Sequence, residues 1–347
     1  MITRDFWFGR KVFITGHTGF KGSWLILLLH YLGAEIHGFA LAPPTMPNLY
    51  GCAESESLLT SKFGDVRDLG LLTESLNVAE PEVVIHLAAQ SLVRKSYVQP
   101  EETYSTNVMG TVNLLEAVRS SQSVKAVIVV TSDKCYENRE TFIGYREYDS
   151  LGGDDPYSSS KACAELVAMA YRKSFLPILA TARAGNVIGG GDWGQDRLVP
   201  DCLAAFAAGR DVILRNPKAV RPWQHVLEAL SGYLILAEKL FLDPQTYAGA
   251  WNFGPDVRDC VAVEAVVGKL LDKWSCNCRV RIDKGAQYKE THQLRLDSSR
   301  ARKNLGWSPC WNLEEALDSV VEWGKAYQDK ADMRSVSLKQ IEQFLKS

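Results

Sequence analysis

The chain of 347 residues has no long apolar run; its most apolar stretch, Trp24 to Leu32, is too short to span a bilayer and is interrupted by His30. The opening residues, M-I-T-R-D-F-W-F-G-R-K-V-F-I-T-G, lack the apolar stretch and small-residue cleavage site of a secretory signal. Charge of one sign is missing too. With 39 Lys and Arg against 41 Asp and Glu, and no block of like charges, nothing points to nucleic acid or an acidic membrane surface as partner. Eight cysteines in a chain this long are no disulfide framework, so the expectation is a cytoplasmic protein with reduced thiols. Cys276 and Cys278 stand close together, but no second ligand pair follows at zinc-finger spacing, and no metal is expected. His225 and His292 are expected to be structural.

What is present is an ordinary globular mix, 46% apolar and 23% charged, enough for one large domain or two modest ones. K-V-F-I-T (11–15) is a β-branched and aromatic strand, followed by G-H-T-G-F-K-G and then S-W-L-I-L-L-L-H-Y-L-G, a helix closed by Gly33. A-E-I-H-G-F-A-L is a second strand, completing a βαβ unit with a glycine-rich first turn. P-E-V-V-I-H-L-A-A (81–89) and V-K-A-V-I-V-V-T-S (124–132) are apolar without alternation, as parallel strands covered on both faces are. T-N-V-M-G-T-V-N-L-L-E-A-V-R-S-S has helical spacing. So does the segment from Asp154, where acids and Pro156 mark a helix start; P-I-L-A-T-A-R-A-G-N-V-I-G is the next strand. After Gly189 the texture becomes glycine-rich and irregular. The fold class expected is α/β: a Rossmann-type doubly wound parallel sheet over residues 1–185, with a smaller mixed α/β domain over 186–347. The chain is expected to return to the first domain at about 225–252, where H-V-L-E-A-L-S-G-Y-L-I-L-A-E-K-L resembles a sheet-covering helix.

Three constellations carry chemistry. The first is Gly16, Gly19 and Gly22, spaced G-x-x-G-x-x-G between strand and helix. Glycines there let the backbone approach a pyrophosphate, whose charge meets the free N–H groups of the helix start. The second strand ends H-G-F-A-L-A-P-P-T, with neither the usual acid for ribose hydroxyls nor an Arg for a 2′-phosphate, which favours NAD over NADP. Asp65 stands where an adenine contact after the third strand is expected. The second constellation is Tyr157 and Lys161, on one helix face four residues apart. A lysine beside a tyrosine is expected to lower the phenol's pKa and make it a usable acid/base. The third is Ser132 with Asp133 and Lys134, at the carboxyl edge of the sheet, where open α/β sheets bind ligands.

Glycine turn, Ser132, Tyr157 and Lys161 together resemble the extended short-chain dehydrogenase/reductase family, whose members act mostly on nucleotide sugars. The helix T-N-V-M-G-T-V-N-L-L-E-A and the C-terminal L-G-W-S-P-C-W-N-L-E-E-A-L are similar to that family's segments along essentially the whole chain. Asp-Lys after the strand-end serine, with R-A-G-N-V-I-G-G-G-D-W, D-R-L-V-P-D and R-P-W-Q-H-V-L-E, resembles those sugar 4,6-dehydratases of the family that act on CDP-D-glucose. The resemblance implies NAD held by Gly16, Thr18, Gly19, Phe20, Gly22, Asp65, Val66, Leu87, Ala88, Ala89, Tyr157 and Lys161. It implies catalysis by Ser132, Asp133, Lys134, Tyr157 and Lys161. Asn107, Asn186, Arg197 and Arg221 are implied on the substrate side, with Arg295 as a further candidate. Tyr157 then takes the 4-hydroxyl proton, Lys134 the C5 proton, and Asp133 protonates the leaving C6 hydroxyl; the reverse assignment of the last two serves equally. The family also implies a homodimer, or a dimer of dimers, through helices 103–121 and 157–174, and a place in making bacterial O-antigen dideoxysugars. A 4-epimerase, a dehydratase for another nucleotide and a non-catalytic dinucleotide sensor are the alternative readings.

Overall fold

The computed structural model describes residues 2–283, 285 and 291–347. Seven strands form one sheet: β1 (Lys11–Thr15), β2 (Glu35–Ala40), β3 (Thr60–Phe63), β4 (Val83–His86), β5 (Ala126–Val130), β6 (Leu179–Ala184) and β7 (Gly249–Phe253). The order is β7-β6-β5-β4-β1-β2-β3, and every pairing is parallel. Alternate residues along the central strands feed two cores. Val12, Ile14, Val83, Ile85, Ile128 and Val130 enter one, while Phe13, Val84, Val127 and Val129 enter the other. A strand buried on both faces has no polar side, which is why these segments lack alternation.

Helices α1 (Phe20–Leu32) and α5 (Val226–Leu242) cover the first face; α2 (Leu69–Ala79), α3 (Gly110–Arg119) and α4 (Pro156–Ser174) cover the second. Helix α1 is apolar all round because it is sandwiched: the sheet lies on one side and the C-terminal helix Met333–Lys346 packs on the other. It also begins three residues earlier than its sequence suggests. Gly19 serves as its N-cap, so Gly22 falls in its first turn. There a Cβ would stand 2.2 Å from the Gly16 carbonyl oxygen, an approach only glycine permits.

The helix ahead of α3 also starts earlier than its spacing suggests, at Pro100, and passes through a π-helical turn at Ser105–Met109. Such a turn is a local insertion that rotates one side chain out of the regular track; here it turns Asn107 inward to 1% exposure. Helix α4 starts where its residues dictate. Asp155 caps it by accepting from the Ser158 amide, and Pro156 occupies the first turn.

The remaining elements form a smaller lobe beyond the carboxyl ends of β5 and β6. Short strand pairs, Val187–Ile188 with Gln224–His225, Val220–Pro222 with Cys260–Ala262, and Val212–Leu214 with Val280–Ile282, are braced by helices Leu198–Ala207, Val263–Trp274 and Leu313–Gln328. The last helix starts with a capping box between Asn312 and Glu315. The lobe has its own core of Val199, Phe206, Leu214, Trp223, Val267 and Leu317. Among the described residues no helix is long and apolar enough to cross a membrane, no group of side chains could hold a metal ion, and every cysteine is free. His225 is fully buried between Trp24 and Trp311, while His292 lies at the surface.

Candidate active site

At the end of β1 the chain turns on Gly16, whose φ of +76° suits glycine. A Cβ there would sit 2.6 Å from the Ala88 nitrogen and 2.9 Å from the Leu87 carbonyl carbon, so the tails of β1 and β4 touch backbone to backbone. Thr15 Oγ1 ties the two strands by bonding His86 Nδ1 at 2.6 Å and accepting from the Ala88 amide at 3.3 Å. No side chain caps the start of α1. Its first N–H groups and dipole are therefore available to an anion, and the turn fits a dinucleotide pyrophosphate.

Beside it, Thr18 donates to the Leu41 carbonyl at 2.8 Å, and Phe20 lies against Gly189 of the smaller lobe. Both Asp65 oxygens are taken by the Arg67 guanidinium, chiefly on that account holding the carboxyl below its usual range. Val66 is buried against Gly110, and Ala89 is half-buried after β4. Where a ribose acid is absent from β2, His17 instead packs on Gly38 and on the Tyr50 ring; burial drives its pKa down to about 4.

At the end of β5 the chain enters a 3₁₀ turn, Asp133–Cys135, capped by Ser132, whose Oγ accepts from the Lys134 amide at 3.2 Å and donates to Asp133 Oδ1 at 3.0 Å. Asp133 is 3% exposed and its Oδ2 has no hydrogen-bond partner. Burial raises its pKa, against the opposing pull of Lys134, the Ser132 hydroxyl, Arg221 and Lys21. A Cβ on Gly185 would come within 3.0 Å of that free oxygen, so glycine after β6 keeps the carboxyl's approach open. Lys134 is half-exposed beside it.

Tyr157 and Lys161 face this turn from α4. Tyr157 is 8% exposed and Lys161 6%. The expectation that the lysine lowers the phenol's pKa is reversed: Tyr157 is pushed up to about 12, first by burial and then by the Asp133 charge, with the Ser132 hydroxyl and Arg197 pulling the other way. Burial pulls Lys161 down to about 8, and its Nζ donates to the Val130 carbonyl at 3.3 Å. The reason is desolvation: both groups lie in one dry pocket, where each charged form is costly, and this outweighs what either does for the other.

The candidates on the substrate side differ in what they touch. Asn107 does not line the pocket. Its Nδ2 donates to the Gln90 carbonyl and to Ser160 Oγ, and its Oδ1 accepts from the Gln90 amide, so it clamps the segment after β4 to α4 from behind. Asn186 is half-buried after β6, and its side chain makes no hydrogen bond among the described residues. Arg221 is 6% exposed, donates to the Val220 carbonyl at 2.9 Å, and brings its charge to Asp133. Arg197 spans the cleft, bonding Asp192 at 2.9 Å and Ser91 at 2.9 Å, and its charge reaches Tyr157. Arg295 bonds the Phe142 carbonyl at 3.3 Å.

Two site residues escaped the reading of the sequence. Lys21, within the glycine turn, sits with its Nζ 3.4 Å from Tyr233 Oη; its pKa falls to about 8 through burial and the Arg197 and Lys161 charges. The available signal was one cation at the head of an otherwise apolar helix. Glu165, one turn after Lys161, accepts from Thr131, Thr181 and Arg183. It anchors the residue before Ser132, and its i+4 spacing from Lys161 was the clue. Five cations, Lys21, Lys134, Lys161, Arg197 and Arg221, thus converge with the buried Asp133 carboxyl, Ser132 and Tyr157 beside an open helix start. The set suits an anionic, hydroxylated ligand and proton transfer at more than one of its atoms.

The profile of the GDP-mannose 4,6 dehydratase family matches residues 13–320. The chain is 49% identical over 354 residues to the CDP-glucose 4,6-dehydratase of Salmonella typhimurium, with 99% of each chain covered. It is 26% identical over 331 residues to the dTDP-glucose 4,6-dehydratase of Xanthomonas campestris, covering 89% of this chain and 92% of that one. Among solved structures, the dTDP-glucose 4,6-dehydratase of Bacillus anthracis in complex with NAD superposes with a TM-score of 0.80 at 22% identity, covering 94% of this chain and 99% of that one. The UDP-glucose 4-epimerase of Thermotoga maritima with UDP-glucose does so with a TM-score of 0.81 at 21% identity, covering 91% and 99%.

Proposed function

This chain belongs to the GDP-mannose 4,6 dehydratase family, within the extended short-chain dehydrogenases/reductases, and from that premise we propose that it converts CDP-D-glucose to CDP-4-keto-6-deoxy-D-glucose and water with NAD as cofactor. The observation that carries the reading is Asp133: a buried carboxyl with one free oxygen, its proton favoured by burial, in the pocket of Tyr157 and Lys161. A 4-epimerase needs no such acid. Cytidine as the base rests on the relative from Salmonella typhimurium, similar from end to end.

Gly16, the open start of α1 and the Leu87–Ala88 backbone would hold the dinucleotide, and Lys161 its nicotinamide ribose. When bound, NAD supplies a hydride acceptor for C4, a hydride donor for C6, and a positive ring whose field favours the Tyr157 phenolate. Tyr157 takes the 4-hydroxyl proton while Ser132 orients that oxygen. A ketone at C4 acidifies the C5 hydrogen, and Lys134 accepts it. Asp133 gives its proton to the C6 hydroxyl, which leaves as water. Lys134 returns its proton to C5. The proton left on Tyr157 then resets Asp133 through Ser132, which bonds Asp133 and faces the phenol. There is no net redox change.

The exposed apolar residues Tyr104, Met109 and Leu166 on the helices at 103–121 and 157–174 support a homodimer through that face, and the free cysteines support a cytoplasmic setting. The test is to offer CDP-, dTDP-, GDP- and UDP-glucose side by side with NAD and follow the alkaline ultraviolet absorbance of a 4-keto-6-deoxy sugar. Signal with CDP-glucose is expected to dominate. Conversion without deoxygenation indicates an epimerase, and cofactor binding without turnover a sensor.

A further inference from the structure

Farther along α4, away from Tyr157, a second cavity of about 890 Å³ opens between that helix, the edge strand β7 and the segments 146–151 and 297–304. Glu165, Met169 and Arg172, at helical spacings of four and three, line it together with Arg183, Arg300 and Lys303. The carboxylates on its walls already have donors. Glu165 accepts from two threonines and Arg183, Glu147 from the Asn252 amide, Asp149 from the Arg146 amide, and Asp297 from the Arg146 guanidinium.

The cations are not matched in the same way. The Arg172 guanidinium has no acceptor among the described residues, and burial depresses its pKa, with Glu165 opposing and Arg300 and Arg183 adding to the fall. Arg183 is committed, donating from Nη1 to Tyr136 and the Glu147 carbonyl and from Nη2 to Glu165. Arg300 donates from Nη1 to the Ala250 carbonyl and stacks 4.1 Å over the Trp251 ring. Arg172 and Arg300 are half-buried, and planar forks lining one cavity, one of them without an acceptor, match the oxygens of a phosphate.

We propose that this cavity binds a phosphorylated small molecule, gripped by Arg172 and Arg300. The site stands apart from the catalytic cleft but not from its framework. Arg183 bonds Glu165, Glu165 bonds Thr131, and Thr131 immediately precedes Ser132. An anion bound beside Arg183 thereby bears on the turn that carries Asp133.

The experiment uses inorganic pyrophosphate as probe, titrated calorimetrically at low ionic strength into the NAD-saturated protein. It is run on the wild type, on Arg221→Gln, which removes a guanidinium from the catalytic cleft, and on Arg172→Gln. Binding is expected in the wild type and to survive Arg221→Gln, and to weaken by roughly tenfold or more in Arg172→Gln, as loss of a charge-assisted fork entails. Arg172→Lys, which keeps the charge and the helix but loses the fork, is expected to fall between, and stands in if Arg172→Gln melts early. Wild-type affinity in both Arg172 variants, binding abolished by Arg221→Gln, or no binding to the wild type at millimolar probe would each overturn the proposal.

Discussion

Two strand ends, one strand apart in the same sheet, solve different problems with different materials. The end of β1 is built from backbone: a glycine at positive φ, a neighbouring strand's peptide 2.6 Å from where a side chain would start, and an uncapped helix. The end of β5 is built from side chains: Ser132, Asp133 and Lys134 on one tight turn, with Tyr157 and Lys161 facing it. An anion needs N–H groups and space, which any side chain would obstruct. Proton transfer needs groups whose affinities are tuned, and tuning comes from burial. One end can be altered without the other, and that separation is testable.

The largest effect is expected from Asp133→Ala combined with Lys134→Ala. Product formation should fall by on the order of 10⁴ or more, the combined worth of a general acid and base, while NAD affinity stays near the parent value. The alkaline absorbance assay and a cofactor titration report the two halves; parent-rate product from this variant would falsify the catalytic reading. Tyr157→Phe should lower kcat by about 10² to 10⁴ with little change in KM, since the phenol acts on a proton rather than on ground-state binding.

Gly16→Ala inverts the pattern. Strain at positive φ and the clash with Ala88 should cost about 1 to 3 kcal/mol of stability and weaken NAD, while Asp133 keeps its surroundings. Thermal melting with and without NAD reads both.

The smallest effects are in pH, and the two ends should respond with opposite sign. His86, beneath the β1 turn, is driven down to about 3 by burial, with Lys161 adding. The unfolded chain therefore takes up the proton first. His86 costs nothing above pH 6.5, but stability falls as pH drops below that, by about 1.4 kcal/mol at pH 5.5. Asp133 is raised, so the folded state keeps its proton longer, and stability declines as pH rises above the unfolded carboxylate value. Asp133→Asn should remove that second slope and raise the melting temperature at pH 7 while abolishing dehydration. A lowered melting temperature would mean that the carboxyl is ionised and paired.

Much of this arrangement was legible in the sequence because it is local. The strand–glycine turn–helix succession, the Asp155–Pro156 helix start and the doubly buried strands follow from residues within a few positions of one another. Where reading along the chain went astray, distance was the reason. Asn107 is read as a ligand for substrate, yet a π-helical turn swings it inward to Gln90 and Ser160.

The sequence by itself determined the residue types at each strand end and the order in which they arrive, because turns, caps and periodicity act over three or four residues. Only the tertiary structure decided how burial shifts the proton affinities of Tyr157, Lys161, Lys21 and Asp133. Tyr157 becomes a reluctant phenolate, Lys161 and Lys21 weaker cations, and Asp133 a carboxyl whose pKa is raised, because water is excluded by segments far apart in the chain. Desolvation is a property of the assembled pocket, and no stretch of residues carries it alone.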